Sequence, residues 1–369
     1  TYINGYAFKP QDWSDEGVPI IRIQDLTGNS YQANRYNGEY ASKYEVNDGD
    51  VLISWSASLG VYVWHGEKAV LNQHIFKVVF DKERISKDFF VHQVGLILEN
   101  AASDAHGATM KHLTKPVFDA LPFYLPPYEK QCEIAEVLDK VTSLISLRKQ
   151  QLAKLDELVK ARFVEMFGDF EVNPKEFPVY HLCELCDVGS SKRIYQEEQS
   201  ISGIPFLKVA DLNELIDTGK YLCSTFIPLE RYEQLLHKEL TPKENDILIT
   251  SRGTLGKCYI VQSDDEFYFQ DGMISWLSNL SPKVSSIYIS YLFAQPYIQK
   301  QIESLQAGST VAYLSIAMLK KMNVILPPKK LQDDFATFVE HVDQQKQTVQ
   351  QSLEKLELMK KALMQEYFG

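Results

Sequence analysis

Apolar and polar positions along this chain change period partway through each half. Short runs rich in β-branched and aromatic residues come first, at Ile20–Ile23, Val51–Ser54, Val61–Trp64 and Ile75–Phe80. The same texture returns at Phe206–Val209, Ile247–Thr250 and Tyr259–Val261. Runs of this length between turn-forming clusters predict strands. Helical stretches near 87–99 and 286–304 interrupt them, so each half reads as a mixed α/β globule.

After Pro126-Pro127 and Pro327-Pro328 the texture changes, and no Gly or Pro follows until Gly168 and Gly369. Pro at a start and Gly just past an end punctuate a long helix. In the first, Leu138, Ile145, Leu152, Val159 and Met166 recur every seven residues, beside Ile134, Val141, Arg148, Leu155 and Arg162. In the second, Phe335, Val342, Val349, Leu356 and Leu363 recur beside Val339, Lys346, Leu353, Lys360 and Tyr367. Two adjacent apolar rows of period seven define a coiled-coil seam. Arg148 and Arg162 interrupt one row, Lys346 and Lys360 the other, so pairing of the first helix with the second avoids like charges in register. Packing of each helix on its own globule is the alternative.

The chain is also a duplication. GVPIIRIQDL (17–26) returns as GIPFLKVADL (203–212), and GDVLISWSASLG (49–60) as NDILITSRGTLG (245–256). HGATMKHL (106–113) returns as AGSTVAYL (307–314), LPPYEKQ (125–131) as LPPKKLQ (326–332), and MFG (166–168) as YFG (367–369). The offset grows from 186 to 201, which places insertions in the second copy and excludes solenoids and propellers. FPVYHLCELCDVG (177–189) precedes copy two, whereas the counterpart of Asp187 is Thr1. Without a Met at position 1, copy one is expected to be trimmed at its start.

The expected architecture is two similar α/β globes, related by a pseudo-twofold axis and held apart by a long antiparallel two-helix coiled coil. Helices of about 35 residues span about 50 Å at 1.5 Å per residue. Duplex DNA, whose half-sites repeat about every 34–36 Å, is the natural ligand of such a ruler.

The overall charge of −11 first speaks against nucleic acid. By region, residues 1–125 carry 11 basic and 15 acidic groups and residues 169–326 carry 14 and 20. The helices together carry 13 and 14. The local face that meets phosphate matters more than net charge, so an acidic reader is expected to bind DNA weakly alone and gain affinity from partners. No apolar run reaches the ~18–20 residues that span a bilayer. No secretory leader is legible, and five irregular cysteines make no disulfide framework, so a cytoplasmic location is expected.

The GIPFLKVADL-type strand, NDILITSRGTLG-type loop, GST-type turn, LPP-x-x-x-Q junction and terminal coiled coil, in order and twice, resemble the specificity (S) subunit of Type I restriction–modification systems. The resemblance covers essentially the whole chain. It implies that residues 1–124 and 169–325 are target recognition domains, each reading half of a bipartite site in double-stranded DNA. Residues 125–168 and 326–369 would be spacer helices that also dock two modification (methyltransferase) subunits, with restriction (endonuclease/translocase) subunits outside. The chain itself would catalyse nothing and bind no cofactor. S-adenosylmethionine, ATP and Mg are implied for the partner subunits.

The residues show no competing catalytic motif. Leu125-Pro126-Pro127-Tyr128 lacks the Asn or Asp that amino-methyltransferases place before Pro-Pro, and no G-x-G-x-x-G or Gly-rich Lys-Ser/Thr loop occurs. Cys183-Glu184-Leu185-Cys186 is a lone C-x-x-C without a second ligand pair, so it reads as buried thiols, not zinc.

Loops combining Gly, hydroxyls and cations suit phosphate and base contact. Ser251–Lys257 offers Arg252, Thr254 and Lys257; its counterpart 54–60 offers Ser56 and Ser58. The second matched turn offers Lys111 and His112 in one copy, Thr310 and Tyr313 in the other. Features shared by both copies cannot encode different half-sites, so choice is assigned to unshared pairs. These are Arg22 against Lys208, Gln24 against Ala210, Ser56 against Arg252 and His74 against Asp271. The coiled-coil seam is assigned to Leu138, Val141, Ile145, Leu152, Leu155, Val159, Val342, Val349, Leu353, Leu356 and Leu363. Two rival readings stay open: a stand-alone or fused methyltransferase or nuclease, and a coiled-coil adaptor without a DNA role.

Overall fold

A computed structural model of the chain describes residues 1–28, 34–56, 58–104, 118–306 and 312–369. It divides into two compact units, Thr1–Gln151 with Val349–Gly369, and Leu152–Thr348.

In the first unit, β1 (Tyr2–Asn4), β2 (Val18–Ile21), β3 (Arg35–Tyr36), β4 (Glu45–Val46), β5 (Val51–Ser54), β6 (Gly60–Val63), β7 (Ala69–Leu71) and β8 (Ile75–Val78) build two sheets. One has the order β1-β8-β5-β6, the other β3-β2-β7-β4. All four residues of β5 are buried because both faces are covered. Val51 and Ile53 enter a core with Phe76, Phe90, Val94 and Leu98, supplied by β8 and α2 (Lys87–Asp104). Leu52, pointing the other way, joins Ile21, Val46 and Leu71. Alternation thus persists in space while vanishing from the sequence, as it does in any strand buried on both faces.

The second unit repeats the plan. β9 (Val179–His181), β10 (Asp187–Gly189), β11 (Ile204–Leu207), β12 (Phe226–Ile227), β13 (Ile247–Thr250), β14 (Cys258–Ile260), β15 (Tyr268–Phe269), β16 (Ile274–Ser278) and β17 (Asn323–Ile325) form sheets ordered β10-β16-β13-β14, β12-β11-β15 and β17-β9. The first matches β1-β8-β5-β6 strand for strand. The second matches β3-β2-β7, including the parallel pairs β2–β7 and β11–β15. The duplication legible in the sequence is therefore a duplication of topology.

Two expected elements differ. The strands expected to end at Ile23 and Val209 stop earlier, at Ile21 and Leu207, because an aspartate four residues on turns the chain into a helix. The N–H of Arg22 donates to Asp25 Oδ2 at 2.8 Å, and that of Lys208 to Asp211 Oδ2 at 2.8 Å. Short helices follow, α1 (Ile23–Leu26) and, in the second unit, Val209–Thr218. The stretch 286–304 is two helices, Ser286–Phe293 and Pro296–Gln306, since Pro296 cannot continue the first.

The long helices are α3 (Tyr128–Phe167) and, completing the order α4 (Val209–Thr218), α5 (Leu229–Leu236), α6 (Ser286–Phe293), α7 (Pro296–Gln306) and α8 (Ile316–Lys321), α9 (Lys329–Phe368). Within the first unit, Ile134, Ala135 and Leu138 pack with Leu363, Met364 and Phe368, and Arg148 Nε donates to Ser352 Oγ at 3.3 Å. Within the second, Phe163 and Phe167 pack on Phe335, and Lys346 pairs with Asp156 at 2.7 Å. In each unit α3 ascends where α9 descends, so the pairing is antiparallel. Of the assigned seam, Leu138, Val141, Leu155, Val159, Val342, Val349 and Leu353 are buried. Ile145, Leu152, Leu356 and Leu363 are half-buried.

Candidate nucleic-acid interface

In the second unit, antiparallel pairing brings the C-terminal ends of β10 and β13 to the same sheet edge as the N-terminal ends of β14 and β16. Three loops meet there: 190–193, 251–257 and the turn 270–273. Hydrogen bonds lace them together. The N–H of Ser251 donates to Met273 O at 2.9 Å, and Ser251 Oγ lies 2.7 Å from Ser275 Oγ. Gly272 donates to Ser190 Oγ at 3.1 Å, and Ser191 Oγ donates to Phe269 O at 2.7 Å.

Loop 251–257 is shaped by Gly253 and Gly256, both left-handed, with φ of 72° and 79°. A Cβ on Gly256 would stand 2.7 Å from Ile302 Cδ1, so that glycine lets the loop press on α7. Arg252 is exposed, bridges Tyr313 through the backbone and sets its guanidinium 5.7 Å from the Tyr313 ring centre. Gln306 fixes Tyr313 from the other side, accepting its N–H at 2.8 Å and donating to its carbonyl at 2.7 Å. Arg252 and Tyr313, some sixty positions apart in the sequence, are thereby neighbours at the sheet end. Thr254 is exposed beside them.

Lys257 departs from its expected role. Its ammonium sits 2.6 and 2.7 Å from the two carboxylate oxygens of Asp217 on α4, an internal use of the charge. Asp271 is likewise committed, accepting from Arg193 Nε at 2.8 Å. Asp271 pushes the pKa of that guanidinium up, first through this hydrogen bond and then through its charge. Exposed Lys208 follows β11 and lies beside the same turn, since Gln270 N–H reaches Leu207 O at 2.9 Å.

The matching end of the first unit has different chemistry on the same frame. Ser56 is buried, with 6% exposure, whereas Ser58 is exposed. Arg22 and Gln24 are half-buried, and Arg22 Nε contacts Asp25 Oδ2 at 3.3 Å. His74 takes the left-handed conformation, φ 71°, and meets the Trp55 ring edge-on at 4.9 Å between centres. Its Nδ1 is buried without a hydrogen-bond partner among the described residues. A non-glycine residue held there marks a position the surrounding fold imposes.

The ladders also correct one pairing. Leu71 matches Phe269 and Ile75 matches Ile274, so copy two has one more residue in this turn. Asp271 therefore does not correspond to His74. By backbone conformation, His74 corresponds to Gly272, φ 69°. Lys111, His112 and Thr310 lie outside the described residues.

Arg193, Trp55 and Tyr6 escaped the sequence reading. Tyr6 is exposed, and its backbone bonds Leu71 and Gln73 at 2.8 Å each. The signal was present: at the offset of 186, Tyr6 faces Lys192 and Ala7 faces Arg193, both unshared. The C-x-x-C is split, Cys183 exposed and Cys186 buried. Burial above all, with Asp187 and Cys183 adding, pushes the Cys186 thiol up to about 12, so it is protonated at neutral pH. No group of three or more metal-ligating side chains occurs among the described residues.

The family model of the Type I restriction modification DNA specificity domain matches residues 1–157 and again 174–358, once per copy. The chain belongs to this family. The chain is 29% identical over 327 residues to the putative type I restriction enzyme specificity subunit S.HindORF215P of Haemophilus influenzae, covering 85% of this chain and 80% of that one. It is 25% identical over 373 residues to the EcoBI specificity subunit of Escherichia coli, covering 92% and 76%. In fold, it resembles the crystal structure of a Type I S subunit from M. genitalium, with a TM-score of 0.59, 14% identity and coverage of 100% and 93%. A chain from a structural study of complex assembly in the type I R-M system gives 0.55 at 15% identity, covering 100% and 97%. This specificity subunit thus has its family's doubled plan. None of its described helices is long and apolar enough to cross a membrane.

Proposed function

We propose that this DNA-specificity subunit reads one half of a bipartite site with the sheet end of each unit. The observation that supports this is a common strand order presenting different side chains. Arg252, Tyr313, Thr254 and Lys208 stand in the second unit, and Ser58, His74, Tyr6 and Arg22 in the first. A scaffold shared by both copies, with different loops, lets two domains of one design read two sequences. The paired helices set the spacing between half-sites and dock two methyltransferase subunits, to which restriction subunits add in the cytoplasm. The chain performs no chemistry and binds neither S-adenosylmethionine, ATP nor Mg, which act in the partner subunits.

Sequencing the methylome of cells expressing this chain with its methyltransferase partner tests the reading. Two half-sites separated by unspecified bases are expected, and an uninterrupted motif would contradict it. Transfer of labelled methyl groups from S-adenosylmethionine to DNA by the purified chain alone would favour the enzyme reading instead.

A further inference from the structure

We infer that Arg193, oriented by Asp271, reads a guanine in the half-site addressed by the second unit. This rests on the reading of the sheet end as a DNA face and goes beyond it by assigning a residue and a base.

The pair is unlike an ordinary surface ion pair because both backbones are braced. Ser190 Oγ accepts from Gly272 N at 3.1 Å and donates to Ile274 O at 3.0 Å. Ser191 Oγ, in a buried residue, donates to Phe269 O at 2.7 Å. The Lys192 N–H donates at 2.8 Å to the hydroxyl of Tyr268, a fully buried residue. Segment 190–193 is thus tied at three consecutive residues to the strand and turn that carry Asp271. An arginine on such a base has less freedom to lose on binding than one on an unbraced loop.

The contact itself selects the ligand. Asp271 Oδ2 takes Nε at 2.8 Å, and neither Nη group makes a hydrogen bond among the described residues. The side chain of Arg193 is 65% exposed and that of Asp271 only 20%. The carboxylate therefore holds the inner edge while the two-pronged Nη face stays open. That face matches two adjacent acceptors, and in the major groove guanine presents them as N7 and O6. Phosphate fits less well. The neighbouring carboxylate cancels the charge that would attract it and would repel its oxygens. The first unit has Ala7 at the matching position, so it cannot make this contact.

The test uses the full chain assembled with its methyltransferase partner and compares wild type, Arg193→Ala, Arg193→Lys and Asp271→Asn. Methylome sequencing of Arg193→Ala should show one guanine of one half-site relaxed to other bases, with discrimination reduced about tenfold or more. The other half-site should be unchanged. Asp271→Asn should relax the same position to a smaller degree. If Arg193→Ala yields no modification, Arg193→Lys decides, since it keeps the charge and loses the fork. Binding of its purified complex to duplexes carrying each base at that position should show the same relaxation, while its melting temperature matches wild type. Unchanged demand for every base in Arg193→Ala or Arg193→Lys would overturn the inference. So would equal weakening on all sequences with the salt slope lowered by about one, the mark of a phosphate contact. A wild-type motif that is bipartite but lacks guanine dependence at any position touched by these variants defeats this inference alone. An uninterrupted wild-type motif defeats the DNA-face reading beneath it.

Discussion

Gln332 holds its helix to its globe by accepting the backbone N–H of Ser285 at 2.9 Å. Its amide donates to the carbonyls of Pro327 and Lys283 at 2.7 and 3.0 Å. The first unit repeats the device: Gln131 accepts from Ser86 N–H at 2.9 Å and donates to Pro126 O at 2.8 Å. Both glutamines are buried, and both are the last residue of the LPP-x-x-x-Q junction. The motif is therefore a clamp that sets the angle at which each long helix leaves its domain. Gln332→Ala leaves one donor and two acceptors without their partner at a partly buried junction and should cost about 1–3 kcal/mol, measured by chemical denaturation. Gln131→Ala should cost a similar amount.

Apolar contact, not charge, holds the helices together. Phe335 is fully buried against Phe163, Phe167 and Tyr291, with ring centres 5.3–5.4 Å apart. Phe335→Ala should destabilise the second unit by about 3–5 kcal/mol. Lys346 and Asp156, both partly exposed at 34% and 53%, form the kind of ion pair worth under about 1 kcal/mol. Lys346→Ala should shift the melting temperature far less than Phe335→Ala in the same instrument.

Two cations of one loop should behave differently on DNA. Arg252 stands exposed beside Tyr313, whereas Lys257 is bound by Asp217. Arg252→Ala should weaken binding of the assembled complex to its cognate duplex by about 1–3 kcal/mol, and Lys257→Ala by clearly less. Titration of both at two salt concentrations measures this.

Asp246 gives a pH dependence with a definite sign. Burial raises its pKa above the usual aspartate value, although the Lys243 N–H at 2.9 Å and Trp276 Nε1 at 2.8 Å both donate to it. A folded-state pKa above the unfolded one means a contribution fully present below about 3.8 and lost as pH rises through the raised value. At pH 7 the charge therefore costs stability. Asp246→Asn keeps the acceptor without the charge, so it should match or exceed wild-type stability at pH 7. Its advantage should shrink on acidification toward pH 4, as read from denaturation midpoints across that range.

The sequence made the duplication and the seam legible because both leave periodic marks. Leu138, Val141 and Val159 recur at helical spacing, and the copies align in order at offsets that grow from 186 to 201. Strand β5 was visible as an apolar run even though its two faces serve two cores. Helices α1 and α4 were hidden because they depend on one returning carboxylate each, at Asp25 and Asp211, and not on a pattern. The site was less legible. Arg252 and Tyr313 are joined by a backbone bridge, and Arg193 and Asp271 by a contact across two loops. Loop convergence at a sheet end comes from tertiary structure, so composition named candidates without saying which were spent internally. Lys257, bound by Asp217, is one that was.

Each unit is expected to read its own half-site. The direct measurement replaces residues 1–124 with the equivalent domain of another specificity subunit and sequences the methylome of cells carrying the assembled complex. One half-site should change, with the other half-site and the number of unspecified bases between them retained. A change in both half-sites, or in neither, would contradict the account.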